Sequence, residues 1–139
     1  MLPVLATQHS AAGARAFAEF FIKTIDWGYA TIDEHYIQHY SDAGCTGCNA
    51  FVHGIAVARA GKHRYIGGRI TVVSASTSQR RARGADTTIL VGFNILSFEE
   101  VTRSDRFVRA DVAHTGERFE VSLGWVQDRW LVRELTADA

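Results

Sequence analysis

The sequence predicts an α+β domain in which N-terminal helices pack into a curved antiparallel sheet. Apolar residues recur at three-and-four spacing through the first half, and after Gly67-Gly68 the period changes to two. The strands of the second half are joined mostly by tight turns, with no helical crossovers of the kind a parallel sheet requires.

Phe17, Phe20, Phe21, Thr24, Ile25, Gly28 and Tyr29 form one face of the first helix, widened by Ala14, Ala18 and Ile22. Arg15, Glu19, Lys23 and Asp26 lie mostly opposite, and Ser10 is the expected N-cap. Asp33 is expected to cap a short second helix carrying Tyr36, Ile37 and Tyr40, which Ser41-Asp42-Ala43-Gly44 ends. Thr46 is expected to cap a third helix with Phe51, Val52, Ile55 and Ala58 as its buried stripe. Gly61 is well placed to end it in the C′ position.

About five strands follow. Ile70, Val72 and Ser74 alternate with Thr71, Val73 and Ala75, and the run from Ile89 to Ile95 reads as buried on much of both faces. From Phe107 to His114, Val108, Ala110 and Val112 alternate with Arg109 and Asp111. Thr115-Gly116 reads as a turn before a long strand through Phe119, Val121, Leu123 and Trp125. Gln127-Asp128 is a second turn, before Trp130 to Leu135. A sheet of this kind, curved around the long first helix, would leave a concave pocket between the layers.

The 139 residues fit one domain, with 47% hydrophobic and 22% charged residues, so one core is large enough without metals. Residues 1–9 read as an N-terminal extension after a removed targeting segment, and 10–139 as the domain. Lys plus Arg and Asp plus Glu both number 15, which removes the basic excess that nucleic-acid binding needs. Arg80, Arg81 and Arg83 read as a solvated loop. No run of 18 apolar residues spans a membrane, and Met1 to Ala6 lacks the charged start of a signal peptide.

Several segments occur together in one order: Gly13-Ala14-Arg15-Ala16-Phe17, Trp27-Gly28-Tyr29-Ala30-Thr31, Tyr40 to Cys48, and Tyr65 to Val72. With them the chain, from about Ser10 to Leu135, resembles a family of actinobacterial lipoproteins of unassigned function. Ile32 departs from that pattern, which usually has Gly there, and the lipid-bearing N-terminal Cys is missing. The resemblance implies a nuclear transport factor 2-like (cystatin-like) cone, secreted or lipid-anchored in the cell envelope. Any membrane attachment would run only through the removed N-terminal anchor.

Cys45-Thr46-Gly47-Cys48 admits three readings. Zinc would need two further ligands, and His39 and His53 match no common ligand spacing. A redox pair suits the start of a helix, where the thiolate is stabilised, but a thioredoxin fold needs a βαβ unit there. A structural disulfide needs an oxidising compartment, which the resemblance supplies, and this reading is favoured.

For a pocket enzyme of the isomerase or dehydratase type, the available acids and bases are Tyr29, Asp33, Tyr36, Asp111 and His114. Asp33 is better explained as a cap, and Asp111 and His114 as exposed. Trp27, Tyr29 and Tyr36 are the candidate pocket residues, while Trp125 and Trp130 read as core. His35 and His39 share i, i+4 spacing without a third ligand, and Gly67-Gly68 opens no helix that would bind phosphate. The expected function is non-catalytic binding of a small ligand or an envelope protein, with no catalytic residue, metal or cofactor assigned. A homodimer through the sheet is a further expectation. The alternatives are the pocket enzyme and a thiol-disulfide protein using Cys45 and Cys48.

Overall fold

Residues 2–80 and 84–137 are described by a computed structural model of the chain. Arg81 and Arg83 of the basic cluster lie outside them, and Arg80 is exposed. A short 3-10 turn, Val4–Thr7, precedes α1 (Ala11–Thr31), α2 (His35–His39) and α3 (Thr46–Ala60). The strands are β1 (Arg64–Gly67), β2 (Ile70–Ser78), β3 (Thr87–Ile95), β4 (Phe98–Val101), β5 (Phe107–Asp111), β6 (His114–Val126) and β7 (Arg129–Ala137). The architecture is α+β, as the periodicity predicts.

α1 starts where expected, the Ser10 hydroxyl accepting from the Gly13 N–H at 3.0 Å. Its buried face runs Ala14, Phe17, Ala18, Phe21, Ile22, Thr24, Ile25 and Gly28, the predicted stripe. The helix ends at Ile32, which takes a left-handed conformation with φ 55°. A β-branched residue is strained there, which gives a physical reason for the Gly expected at this position. The Asp33 carboxylate accepts from the His35 N–H at 2.9 Å, one residue before the α2 cap position at Glu34. α3 is capped by Cys45 rather than Thr46, because the Cys45 sulfur reaches the Cys48 N–H. Gly61 stays right-handed, and Lys62 makes the left-handed step with φ 57°.

Among the described residues the strands form two antiparallel sheets, ordered β2-β3-β6-β7 and β1-β4-β5. The shorter sheet contains two strands the sequence reading passed over, β1 and β4, each of four residues. The pairs β1–β2, β3–β4 and β5–β6 each pass from one sheet to the other across a connection of two residues. The first two corners are bonded together: Gly68 N–H donates to the Ser97 carbonyl and Leu96 N–H to the Arg69 carbonyl, both at 3.0 Å. Gly67 takes φ 81°, and a Cβ on it would stand 2.4 Å from the Ser97 oxygen, so no larger residue fits. The expected turn at Thr115-Gly116 lies inside β6. There Gly116 has φ 70° and donates to the Asn94 side chain where the β3–β6 register slips, so its glycine signals a bulge. Gln127 and Asp128 form the predicted turn, both at positive φ as a tight hairpin demands.

α1 packs against both sheets, with core residues Phe17, Phe21, Ile22 and Ile25 facing Ile89, Val91, Val121 and Leu123. The segment before α1 is pinned as well. Ala6 is buried, Trp130 Nε1–H donates to the Gln8 carbonyl at 2.9 Å, and His9 stacks on Trp125 at 4.4 Å. Asp26, read from the sequence as facing away, instead holds the first corner. Its carboxylate accepts from Arg69 Nε and Nη2 at 3.0 and 2.7 Å and from the Ile70 N–H at 2.9 Å. Replacing Asp26 with Ala leaves that part-buried N–H unpaired and should cost about 1–3 kcal/mol in urea unfolding. Arg69→Ala removes only an exposed partner and should cost roughly 1 kcal/mol or less in the same measurement.

Candidate functional site

A cavity of about 270 Å³ lies between α1, α3 and the two sheets. Ile22, Ile25, Ile70 and Ile95 contribute apolar surface, and six aromatic rings line the rest. Those rings touch in one unbroken series. Phe93 stacks on Phe119 at 5.0 Å, Phe119 meets Phe51 at 5.9 Å, and Phe51 meets Tyr29 at 6.0 Å. Tyr29 then meets Tyr65 at 5.2 Å, and Tyr65 meets Phe98 at 5.8 Å. Edge-to-face contacts at these distances hold the rings in place rather than letting them collapse into the space.

The polar wall comes from the shorter sheet. Tyr65 pairs with Glu100 across β1–β4, and Glu100 pairs with Arg109 across β4–β5, so all three share one row and one face. Glu100 accepts from Arg109 Nε at 2.7 Å, and its other oxygen lies 2.7 Å from His63 Nδ1. Burial pushes the Glu100 carboxyl up, but the bonds to His63 and Arg109 outweigh it and hold it below its ordinary range. The Arg109 guanidinium lies over the Phe98 ring at 5.1 Å. Burial, with help from Tyr65 and Glu100 and against Arg109, pushes the Tyr29 hydroxyl up to about 12. Tyr65 is raised also, first by burial and then by Glu100.

Tyr29 is thus the candidate pocket residue that reaches this cavity. Trp27 and Tyr36 pack on each other at 4.9 Å in a second hollow with Leu2, Leu5, Phe20 and Tyr40. The reason is helical geometry: Trp27 and Tyr29 are two residues apart, which places them about 200° apart around α1. Asp33 serves its helix start. Asp111 is exposed, as read, yet it lines the cavity mouth, where it meets His114 Nε2 at 3.1 Å and is held low chiefly by that bond. On β5 the face is the reverse of the sequence expectation. Arg109 and Asp111 turn toward the cavity, while Val108 and Val112 are 39% and 69% exposed. His63 and Glu100 escaped the sequence reading, Arg109 entered it only in the alternation of its strand, and Tyr65 only within the family pattern. Glu100 sits in a strand of four residues, too short to show alternation. His35 and His39 are exposed, and no group of three or more metal-binding side chains occurs among the described residues.

Cys45 and Cys48 form a disulfide, and both residues are fully buried. A bonded, buried pair supplies neither zinc ligands nor an accessible sulfur. The turn they close is clamped to β7. Glu134 accepts from the Gly47 N–H at 3.1 Å, the Thr46 hydroxyl at 3.1 Å and the Leu135 N–H at 3.0 Å. A Cβ at Gly47 would stand 1.9 Å from the Leu135 carbonyl oxygen, so only glycine allows this approach.

A model of a family of unknown function (DUF6318) matches residues 1–136. No curated protein matches the chain. Among solved structures, the intermembrane space region of chloroplast protein ARC6 is similar at 13% identity and a TM-score of 0.62, covering 95% of this chain and 98% of that one. Aln2 from a Streptomyces species is similar at 13% identity and a TM-score of 0.49, covering 87% and 86%. The likeness to the ARC6 region is one of fold.

Cys45→Ala/Cys48→Ala should lower stability by about 2 kcal/mol, the chain-entropy value for so short a loop, read from denaturant melts. Burial pushes the Glu134 carboxyl up, and its bonds to Leu135, Gly47 and Thr46 bring it net below its unfolded value. Its stabilisation is therefore present above the unfolded pKa of ~4.3 and is lost as pH falls through the folded value. Glu134→Gln should destabilise by about 1–2 kcal/mol at pH 7, and its melts should converge on those of the parent toward pH 3.

Proposed function

Since the chain belongs to this family of unknown function, we propose from the site itself that it is a non-catalytic, extracytoplasmic domain binding a small apolar ligand in the aromatic cavity. The observation that carries the proposal is an open, ring-lined cavity whose ionisable groups are already matched to one another. Glu100 is committed to Arg109 and His63, and both tyrosines are pushed above their ordinary range, so none of these three groups is a free acid or base near neutral pH. The buried disulfide fits an oxidising compartment, and among the described residues no helix is long and apolar enough to cross a membrane. A lipid anchor before residue 1 and the nuclear transport factor 2-like cone belong to the same reading. A helix lying in a sheet that turns through three corners is what such a cone requires.

Ile70 lies at the cavity edge and is half-buried. Ile70→Trp should fill the space and weaken binding of the uncharged dye N-phenyl-1-naphthylamine at least about tenfold, some 1.4 kcal/mol, while the thermal midpoint moves only a few degrees. Equal dye binding by the two proteins would remove the cavity as the site.

One observation favours a second reading, a proton-transferring enzyme: the Glu100 carboxylate neighbours Tyr65 and Arg109, both of which line the cavity. That reading requires exchange of the methyl protons of acetophenone in deuterated buffer, lost in Glu100→Gln. The binding reading expects no exchange above buffer, as followed by proton NMR.

A further inference from the structure

We infer that the cavity takes an uncharged, flat aromatic molecule bearing one carbonyl-type oxygen, which accepts from the Tyr29 hydroxyl and the Arg109 guanidinium. This rests on the binding reading above. The cavity offers ring faces and branched apolar side chains over most of its wall, and planar rings pack against such a surface with little loss of freedom. At about 270 Å³ it sits just below the usual range for drug-sized ligands, so the occupant is small.

The polar end sets the rest. Both Glu100 oxygens are taken, one by Arg109 Nε and one by His63, so the wall has little acceptor capacity left for a ligand. Glu100 and Arg109, its neighbours in the same row, both act on the Tyr65 hydroxyl. Among the described residues the Tyr29 hydroxyl has no hydrogen-bond partner, although it lines the cavity and lies over α3, 3.2 Å from where a Cβ on Gly54 would stand. Arg109 has five N–H donors, and Nε is the one committed to Glu100. What remains for a ligand is the Tyr29 hydroxyl and the Arg109 N–H groups other than Nε.

Charge then separates a neutral oxygen from a carboxylate. Among the described lining residues the one cation, Arg109, is already matched by Glu100, and Asp111 adds a negative charge at the mouth. His63 faces Glu100, and His114 faces Asp111 and Glu117, so neither histidine turns its nitrogens to the ligand end. A carboxylate would enter a site with no unmatched positive charge, whereas a ketone, aldehyde or quinone oxygen meets donors alone.

Four probes of one size test this by titration calorimetry: 2-acetylnaphthalene, 2-ethylnaphthalene, 2-naphthoate and 2-naphthylmethylammonium. We expect 2-acetylnaphthalene to bind at least roughly tenfold more tightly than 2-ethylnaphthalene, as one neutral and one charge-assisted hydrogen bond require, and more tightly than either ion. Tyr29→Phe should cut that advantage roughly three- to tenfold and leave 2-ethylnaphthalene unchanged. Equal binding of the ketone and the hydrocarbon, or tightest binding of either ion, would overturn the ligand assignment while leaving a binding cavity. Binding of every probe unaltered by Ile70→Trp would instead overturn the cavity itself.

Discussion

The close approach of Gly67 to the Ser97 carbonyl is the contact on which the rest of the chain is arranged. It lets two strands turn in the same place, and their corners are then bonded across the bend. The third pair, β5 and β6, turns beside them, so the two sheets become arms of one bent surface. Asp26 fastens α1 to this corner through Arg69 and the Ile70 N–H. The long helix is thereby held across the inside of the bend, packed against the large arm and meeting the small one at β1, where Tyr29 touches Tyr65. The cavity is the space left between α1, α3 and the two arms.

That geometry explains the unusual distribution of polar groups. The small arm is only three strands wide, and the helices do not seal its inner face with apolar side chains. Charged groups on that face are tolerated because each has a partner in the next strand: Glu100 with Arg109, and His63 alongside. Removing one member would leave another uncompensated, so the row is held in place collectively even where each contact is worth little. Its outer face carries Ile66 and Ala110 with Glu99 between them, and Ile66 and Val108 are exposed. Burial cannot therefore be inferred on this arm from hydrophobicity alone.

Most of the architecture was legible because it rests on long periodic segments. The stripe of α1, the buried run of β3 and the Gln127-Asp128 hairpin each follow from spacing that no other element could satisfy. The short strands were not legible, since four residues give alternation no room to appear and their pairing is set by the corners. The site suffered most from this. Tyr29 was identifiable as an aromatic residue on the core-facing helix, but its neighbours Tyr65, Glu100 and Arg109 come from three strands whose register depends on the bend. Trp27 and Tyr36 were placed with Tyr29 by residue type, although the turn of a helix already separates Trp27 from Tyr29. The cap at Cys45 went to Thr46 because a sulfur is a weaker signal than a hydroxyl, and a disulfide fixes it there.

The clamp around the cysteine turn also sets when the chain can finish folding. The turn itself is local, yet everything that seats it arrives late: Glu134 and Leu135 lie in the last strand, about ninety residues further on. The backbone beside it makes the same long-range connection, with Ser41 bridged to Val132 and Asp42 bonded to the Val132 carbonyl at 2.8 Å. Trp130 likewise reaches back to the Gln8 carbonyl. β7 therefore acts as a closing strap across both the beginning and the middle of the chain. Until it is laid down, the third helix lacks its seat on the sheet, and the cysteine turn lacks the Glu134 bonds that hold it.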